Sequence, residues 1–250
     1  MEMWQLEQRR DLPLELKEIL TTKRIEEFYN RFLGNVYISF SGGKDSTVLL
    51  NIARKRFKDI PAVFSDTGLE YPEIKEFIGT VDNVTTIKPK ISFLSVIKKY
   101  GYPLISKEVS QRIEEAINTH SEKLRNKRLN GDENKKGAIP KKWKFLIDAP
   151  FKISSKCCSI LKKNPFKKYE KETGRHPIVG TMAVDSSLRK QSYLKHGCNS
   201  FESKRPISTP LGFWTEQDIW EYIRKYKLNY STIYDKGFKN TGCMFCMFAT

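Results

Sequence analysis

No apolar run in this sequence approaches the roughly 20 residues that a membrane-spanning helix needs. The amino terminus, Met1-Glu2-Met3-Trp4-Gln5-Leu6, has no basic stretch followed by an apolar one, so no secretory leader is legible. Both absences argue against a membrane or exported protein and set the expectation of a cytoplasmic one. Histidine is scarce, at three residues, and His120 and His176 have no recognisable partner, so they are read as structural. Acidic residues are outnumbered, 29 against 45 lysines and arginines, which leaves a formal charge of +16. That excess favours polyanionic partners: nucleotides, nucleic acid, or both. Internal repeats are absent. Cysteines are few, five in number, and two of them are adjacent, which points to metal or redox chemistry rather than a disulfide framework. With 39% hydrophobic residues, the chain has enough apolar surface for one large core, or a core and a small lobe.

Leu14 to Phe32 carries apolar residues at helical spacing and predicts an N-terminal helix. Short, β-rich apolar runs at Asn35–Phe40, Pro61–Ser65, Val84–Ile87 and Pro177–Gly180 predict buried strands. Helical patterns follow at Asp45–Arg56, from Pro72, and at Phe93–Tyr100, Val109–Ile117, Cys157–Lys171, Ser186–Leu194 and Thr215–Tyr226. Strands alternating with helices predict an α/β fold with a doubly wound parallel sheet. The expected organisation is an N-terminal helical segment (1–33), a nucleotide-binding domain (34–225) and a cysteine-rich C-terminal segment (226–250). A lysine- and arginine-rich stretch at 120–144, with turn signals at Asn130-Gly131-Asp132, reads as a mobile basic insertion.

The most specific local signal is Ser41-Gly42-Gly43-Lys44-Asp45-Ser46-Thr47, placed between a strand and a helix. Glycines let the backbone turn sharply and approach an anion without a Cβ. The helix start offers unpaired N–H groups and a positive dipole end. Ser41, Ser46 and Thr47 supply hydroxyls and Lys44 a positive charge. The spacing does not fit the Walker A pattern. An ordinary glycine turn capped by Asp45 is the bland alternative.

Ser41 to Ser46 resembles the PP-loop signature of ATP pyrophosphatases and of the phosphoadenylyl-sulfate and adenylyl-sulfate reductases. Asp66-Thr67-Gly68-Leu69-Glu70-Tyr71-Pro72-Glu73 resembles the Asp-Thr-Gly...Pro-Glu segment after the second strand of those reductases. Gly180-Thr181-Met182 through Ser186, with Arg189, is similar to a Gly-x-Arg-x-x-(Gln/Glu)-Ser segment near the substrate, although Met182 stands where the family has a basic residue. Trp214 to Trp220 resembles a helix that reads as architectural. The resemblance implies an adenine nucleotide alpha-hydrolase-like, Rossmann-like fold that binds ATP or adenylyl sulfate. It implies that Asp66, Thr67, Gly68, Gly180 and Arg189 line the nucleotide pocket along with the loop. Lys44 and Asp45 are the expected catalytic groups, and Asp45 and Asp66 the expected carboxylates for Mg²⁺.

Cys157-Cys158 and Cys243-Met244-Phe245-Cys246 form a second constellation. Four thiolates suit zinc or an iron–sulfur cluster, and composition does not separate the two. The family resemblance implies a [4Fe-4S] cluster on Cys157, Cys158, Cys243 and Cys246, with zinc as the alternative.

The reductases attack sulfate sulfur with a thiolate on a C-terminal tail. The sequence stops at Thr250, four residues after Cys246, with no cysteine between them, so either the sequence continues further or the chemistry differs from a self-contained thiol reductase. Cys198, beside His196 and Lys195, is a possible nucleophile or a structural loop cysteine. The leading expectation is a PP-loop enzyme that carries out sulfur transfer, or ATP-dependent activation of a nucleic-acid acceptor, with a sulfur-donor or thiol-reductant protein as partner. The chain also resembles the PP-loop protein of DNA phosphorothioation. A sulfonucleotide reductase using an external thiol is the second option, and a non-catalytic nucleotide or redox sensor the third. RNA or DNA is an expected partner through 123–144, where Arg125, Lys127, Arg128, Lys135, Lys136, Lys141 and Lys142 offer charges and Trp143 a stacking surface.

Overall fold

The structure is a computed structural model that describes residues 2–246 and 248. Helices α1 (Met3–Arg10) and α2 (Leu14–Arg31) precede strand β1 (Val36–Ser39) and helix α3 (Lys44–Arg56). Then come β2 (Ala62–Ser65), α4 (Pro72–Gly79), β3 (Val84–Ile87), α5 (Phe93–Tyr100), α6 (Lys107–Asn118) and α7 (Glu122–Asn130). The chain continues through α8 (Asn164–Thr173), β4 (His176–Val179), α9 (Ser187–His196), β5 (Asn199–Ser200), β6 (Ile207–Ser208) and α10 (Glu216–Lys225).

Two compact units result. The first comprises Met1–Ser65, Tyr71–Ile87 and Lys167–Thr241; the second comprises Asp66–Glu70, Lys88–Phe166 and Gly242–Thr250.

The first unit holds a sheet of order β3-β2-β1-β4-β6-β5, parallel except where β5 runs antiparallel to β6. Val36, Tyr37 and Ile38 of β1 are fully buried, as expected of a central parallel strand covered on both faces. The fold is therefore the mixed α/β, adenine-nucleotide-alpha-hydrolase-like arrangement read from the sequence. From β1 the chain builds outward to β2 and β3 on one side, then returns to place β4 on the other side. The boundary between β1 and β4 is a topological switch point, where ligands of open α/β sheets bind at the strand C-termini.

Helices are locked to this sheet by polar as well as apolar contacts. Thr215 caps α10 by accepting from the Asp218 amide, and Asp218 accepts from the Thr215 N–H at 2.7 Å. The same carboxylate receives Lys17 Nζ of α2 at 2.8 and 2.7 Å, in a buried pair that fixes α2 against α10. Trp214 is fully buried and donates its indole N–H to Thr21 at 2.9 Å.

In the second unit, Val109, Ile113 and Ala116 of α6 pack with Ile139, Leu146 and Ile153 in a separate small core. The basic stretch expected to be a mobile insertion contains an ordered helix. Ser121 caps α7, Arg125 Nε donates to the Ala116 carbonyl, and Arg128 pairs with Glu115 and donates to the Gly137 carbonyl. A 3₁₀ helix at Lys141–Asp148 follows, and Trp143 packs against the small core. The expected helix from Cys157 is interrupted by a π-helical turn, Ser159–Lys163, before α8 begins. Among the described residues no helix is long and apolar enough to cross a membrane.

Candidate functional site

In the first unit the glycine loop joins β1 to α3. Gly42 has φ +72°, and a Cβ there would lie 2.9 Å from Ile78 and 3.0 Å from Ile74, so both conformation and space require glycine. The hydroxyls close the turn. Ser46 Oγ accepts from the Ser41 N–H at 3.2 Å and donates to the Gly43 carbonyl at 2.8 Å. Thr47 Oγ1 donates to the same carbonyl at 3.0 Å, and the Gly43 N–H donates to Ser41 Oγ at 3.3 Å.

Lys44 is only 3% exposed. Its N–H donates to Tyr234 Oη at 2.9 Å and its Nζ to the Lys239 carbonyl at 2.8 Å, with Glu216 at 3.3 Å. Residues 230–241 therefore lie over the loop as a strap. Asp45 Oδ1 is buried with no hydrogen-bond donor, and Lys44 Nζ is 3.9 Å away. Burial pushes the Asp45 carboxyl up to about 6; Lys44 and Arg189 oppose the rise, and Asp185 and Glu216 add to it.

Two further residues named from the sequence meet this loop. Gly180 follows β4, and a Cβ there would sit 3.1 Å from the Asp45 carbonyl and 3.3 Å from the Ser46 amide nitrogen. The missing side chain lets the chain after β4 approach the first turn of α3 closely. Arg189, on α9, pairs with Asp185 within electrostatic reach of Asp45. Motif reading missed Tyr234, Lys239 and Glu216. Glu216 was visible only as part of a helix that reads as architectural, and the other two carry no local signature.

Asp66, Thr67 and Gly68 belong to the second unit. Asp66 Oδ1 accepts from the Gly68 N–H at 2.9 Å. Thr67 donates its N–H and hydroxyl to the buried Glu70 carboxylate at 3.0 and 2.7 Å. Glu70 forms a β-bridge with Cys243, and the Met244 N–H donates to the Leu69 carbonyl at 2.8 Å. This turn thus supports the Cys243 segment.

Cys157, Cys158, Cys243 and Cys246 do converge, around a cavity of about 20 Å³ that is also lined by Leu69, Phe93, Leu161 and Phe245. That volume is of the order of a single water site. Burial, reinforced by the other three thiols, pushes the Cys157 thiol up to about 12, and burial raises Cys158 as well. Among the described residues no group of three or more histidine, cysteine, aspartate or glutamate side chains is placed to hold a metal ion. The [4Fe-4S] cluster expected on these cysteines, its zinc alternative, and the iron–sulfur function built on them are corrected accordingly.

Cys198 is buried in the main core, with its Sγ 3.6 Å from Tyr193 Oη, and burial pushes its thiol up.

Residues 35–249 match the family model described as the phosphoadenosine phosphosulfate reductase domain. The chain belongs to this family. It is 26% identical over 223 residues to an adenosine 5′-phosphosulfate reductase of Bacillus velezensis, covering 87% of this chain and 76% of that protein. An uncharacterized protein of Methanocaldococcus jannaschii is 25% identical over 229 residues, but the chain spans only 38% of that relative's length. The crystal structure of phosphoadenylyl-sulfate reductase from Candida auris, a phosphate complex, superposes with a TM-score of 0.53 at 17% identity. It covers 97% of this chain and 96% of that one, and supports the fold.

Proposed function

We propose that this chain is an enzyme that binds an adenylylated sulfate at the glycine loop and supports its reduction by a thiol from another molecule. The observation that carries this reading is the loop itself. A two-glycine turn with a lysine opens a helix at the switch point between β1 and β4, and Gly180 and Arg189 stand beside it. The family membership supports a sulfonucleotide as the substrate class.

The chemistry asked of the chain is positioning and charge neutralisation. A thiolate attacks the sulfate sulfur, and the S–O bond to the adenosine phosphate breaks and leaves its electron pair on that phosphate. A second thiolate then attacks the thiol-derived sulfur of the resulting S-sulfo adduct; the S–S bond to the sulfo group breaks with its electron pair leaving on sulfite, and a disulfide joins the two thiols. Lys44 and the first amides of α3 receive the phosphate charge, and Arg189 serves the sulfate end. Lys44 would exchange the Lys239 carbonyl for phosphate oxygens. Cys198 contributes packing, since a buried, protonated thiol is a poor nucleophile.

Calorimetry with adenosine 5′-phosphosulfate, its 3′-phosphorylated form and ATP, followed by sulfite release with dithiothreitol, tests the reading. Lys44→Ala is expected to weaken sulfonucleotide binding about tenfold or more, because a charge-assisted hydrogen bond contributes roughly 1.5–3 kcal/mol. Binding of neither sulfonucleotide by the wild type would sink the proposal.

A further inference from the structure

The second unit holds a cavity of about 790 Å³ that neither the glycine loop nor the cysteines account for. One wall is the polar face of α6, where Lys107, Gln111 and Asn118 recur at helical spacing while Val109, Ile113 and Ala116 face the small core. The opposite walls are Lys99 and Tyr100 at the end of α5, and Lys152 and Lys156 in the segment after the 3₁₀ helix. Two acidic residues also line it, and both are already neutralised. Glu114 pairs with Lys156 at 2.7 Å and accepts from Ser154 Oγ at 3.1 Å. Glu115 pairs with Arg128 at 2.6 Å and accepts from Gln111 at 2.8 Å. Lys99, Lys107 and Lys152 are exposed and form no ion pair among the described residues. The half-buried Tyr100 ring has the Lys99 and Lys156 ammonium groups 5.4 and 5.5 Å from its centre.

Charge is concentrated in this unit as a whole. It carries 19 lysines and arginines against nine acidic residues, a net +10 of the chain's +16, in well under half of the sequence. A groove with uncompensated lysines on three elements and one aromatic ring suits a flexible polyanion whose bases are accessible. A duplex hides its bases and would use only the charges. A single small anion would leave most of the lysines unmatched. We propose that this groove binds single-stranded nucleic acid, with Lys99, Lys107 and Lys152 on successive phosphates and Tyr100 stacking on a base. The site is distinct from the basic stretch at 123–144, whose Arg125 and Arg128 are spent on internal contacts. It stands independently of the sulfonucleotide reading.

The test is fluorescence anisotropy of the whole chain with labelled single strands of about 12 nucleotides, within the usual site size of about 4–16. RNA and DNA of one sequence form separate arms, and binding of either supports the proposal and names the source. Three phosphate contacts give an expected slope of log affinity against log salt of about −2, from roughly −0.7 per contact. Lys107→Glu with Lys152→Glu should weaken binding about tenfold or more and flatten that slope to about −0.7. Lys58→Glu with Lys195→Glu, two exposed lysines of the first unit, changes net charge equally and should weaken binding by less than about threefold, as only long-range screened charge is altered. Lys107→Ala with Lys152→Ala gives a milder pair should the reversal disturb folding. Equal losses in the groove and control pairs, binding of mononucleotides but not strands, or no strand binding at low salt would each overturn the proposal.

Discussion

Asp45 shows how far a single side chain can depart from what its motif suggests. In sequence it is the acidic residue of a phosphate loop, suited to capping a helix or holding a metal. In the structure one of its oxygens is buried without a donor, and the carboxyl is pushed up to about 6 from 3.8. The folded state therefore holds this proton more tightly than the unfolded chain does. The group's contribution to stability is most favourable below the unfolded value and is lost as pH rises through about 6. A shift of about two units corresponds to at most roughly 3 kcal/mol, and partial exposure reduces it to roughly 1–2 kcal/mol. Asp45→Asn should therefore be more stable than the wild type near neutral pH by that amount. In urea unfolding the advantage should grow between about pH 4 and 6 and then level off. A difference that stays constant over that range would show that Asp45 ionises normally. Sequence identified this residue through the Ser-Gly-Gly-Lys-Asp-Ser string and placed Arg189 near it by resemblance, but the burial that dominates its shift, and the approach of Asp185 and Glu216, were not legible there.

At the scale of elements, strands and helices with clear periodicity were legible, and segments held by polar contacts were not. Four of the sheet's strands, β1 to β4, coincide with apolar runs bounded by turn residues. Helix α7 has no buried residue, so no apolar stripe announced it; a serine cap and two arginines reaching back to α6 and its partners hold it. The strap at 230–241 was equally silent, because its link to the loop is one tyrosine hydroxyl and one main-chain carbonyl. Those two groups occupy donors of Lys44 that an incoming phosphate would need. Removing the hydroxyl with Tyr234→Phe should free the Lys44 amide and tighten sulfonucleotide binding about two- to tenfold, the worth of a hydrogen bond of roughly 0.5–1.5 kcal/mol. Weaker binding by this variant in calorimetry would mean that Tyr234 itself donates to the nucleotide. The cysteine motif teaches the opposite lesson. Its spacing correctly brought four thiols together, but spacing carries no information about the volume between them or about the apolar side chains that line it.

For the whole molecule, a formal charge of +16 sets two effects against each other. Surface pairs such as Lys55 with Glu18 and Lys225 with Glu15 are attractive and weaken as salt is added. The uncompensated positive excess repels itself in the folded state, and salt relieves that repulsion. Exposed pairs contribute roughly 0–1 kcal/mol each and act at short range. The excess acts over the Debye length, about 30 Å at 0.01 M salt and about 8 Å at 0.15 M. The longer-range term should dominate at low ionic strength. The thermal midpoint is therefore expected to rise as sodium chloride is increased from about 0.01 to 0.15 M, most steeply at the low end. The same addition should slow association with sulfonucleotides, because one positive field both destabilises the fold and draws anions toward it. A midpoint that falls with salt would place the ion pairs above the repulsion and leave the positive excess without a thermodynamic cost for ligand capture to offset.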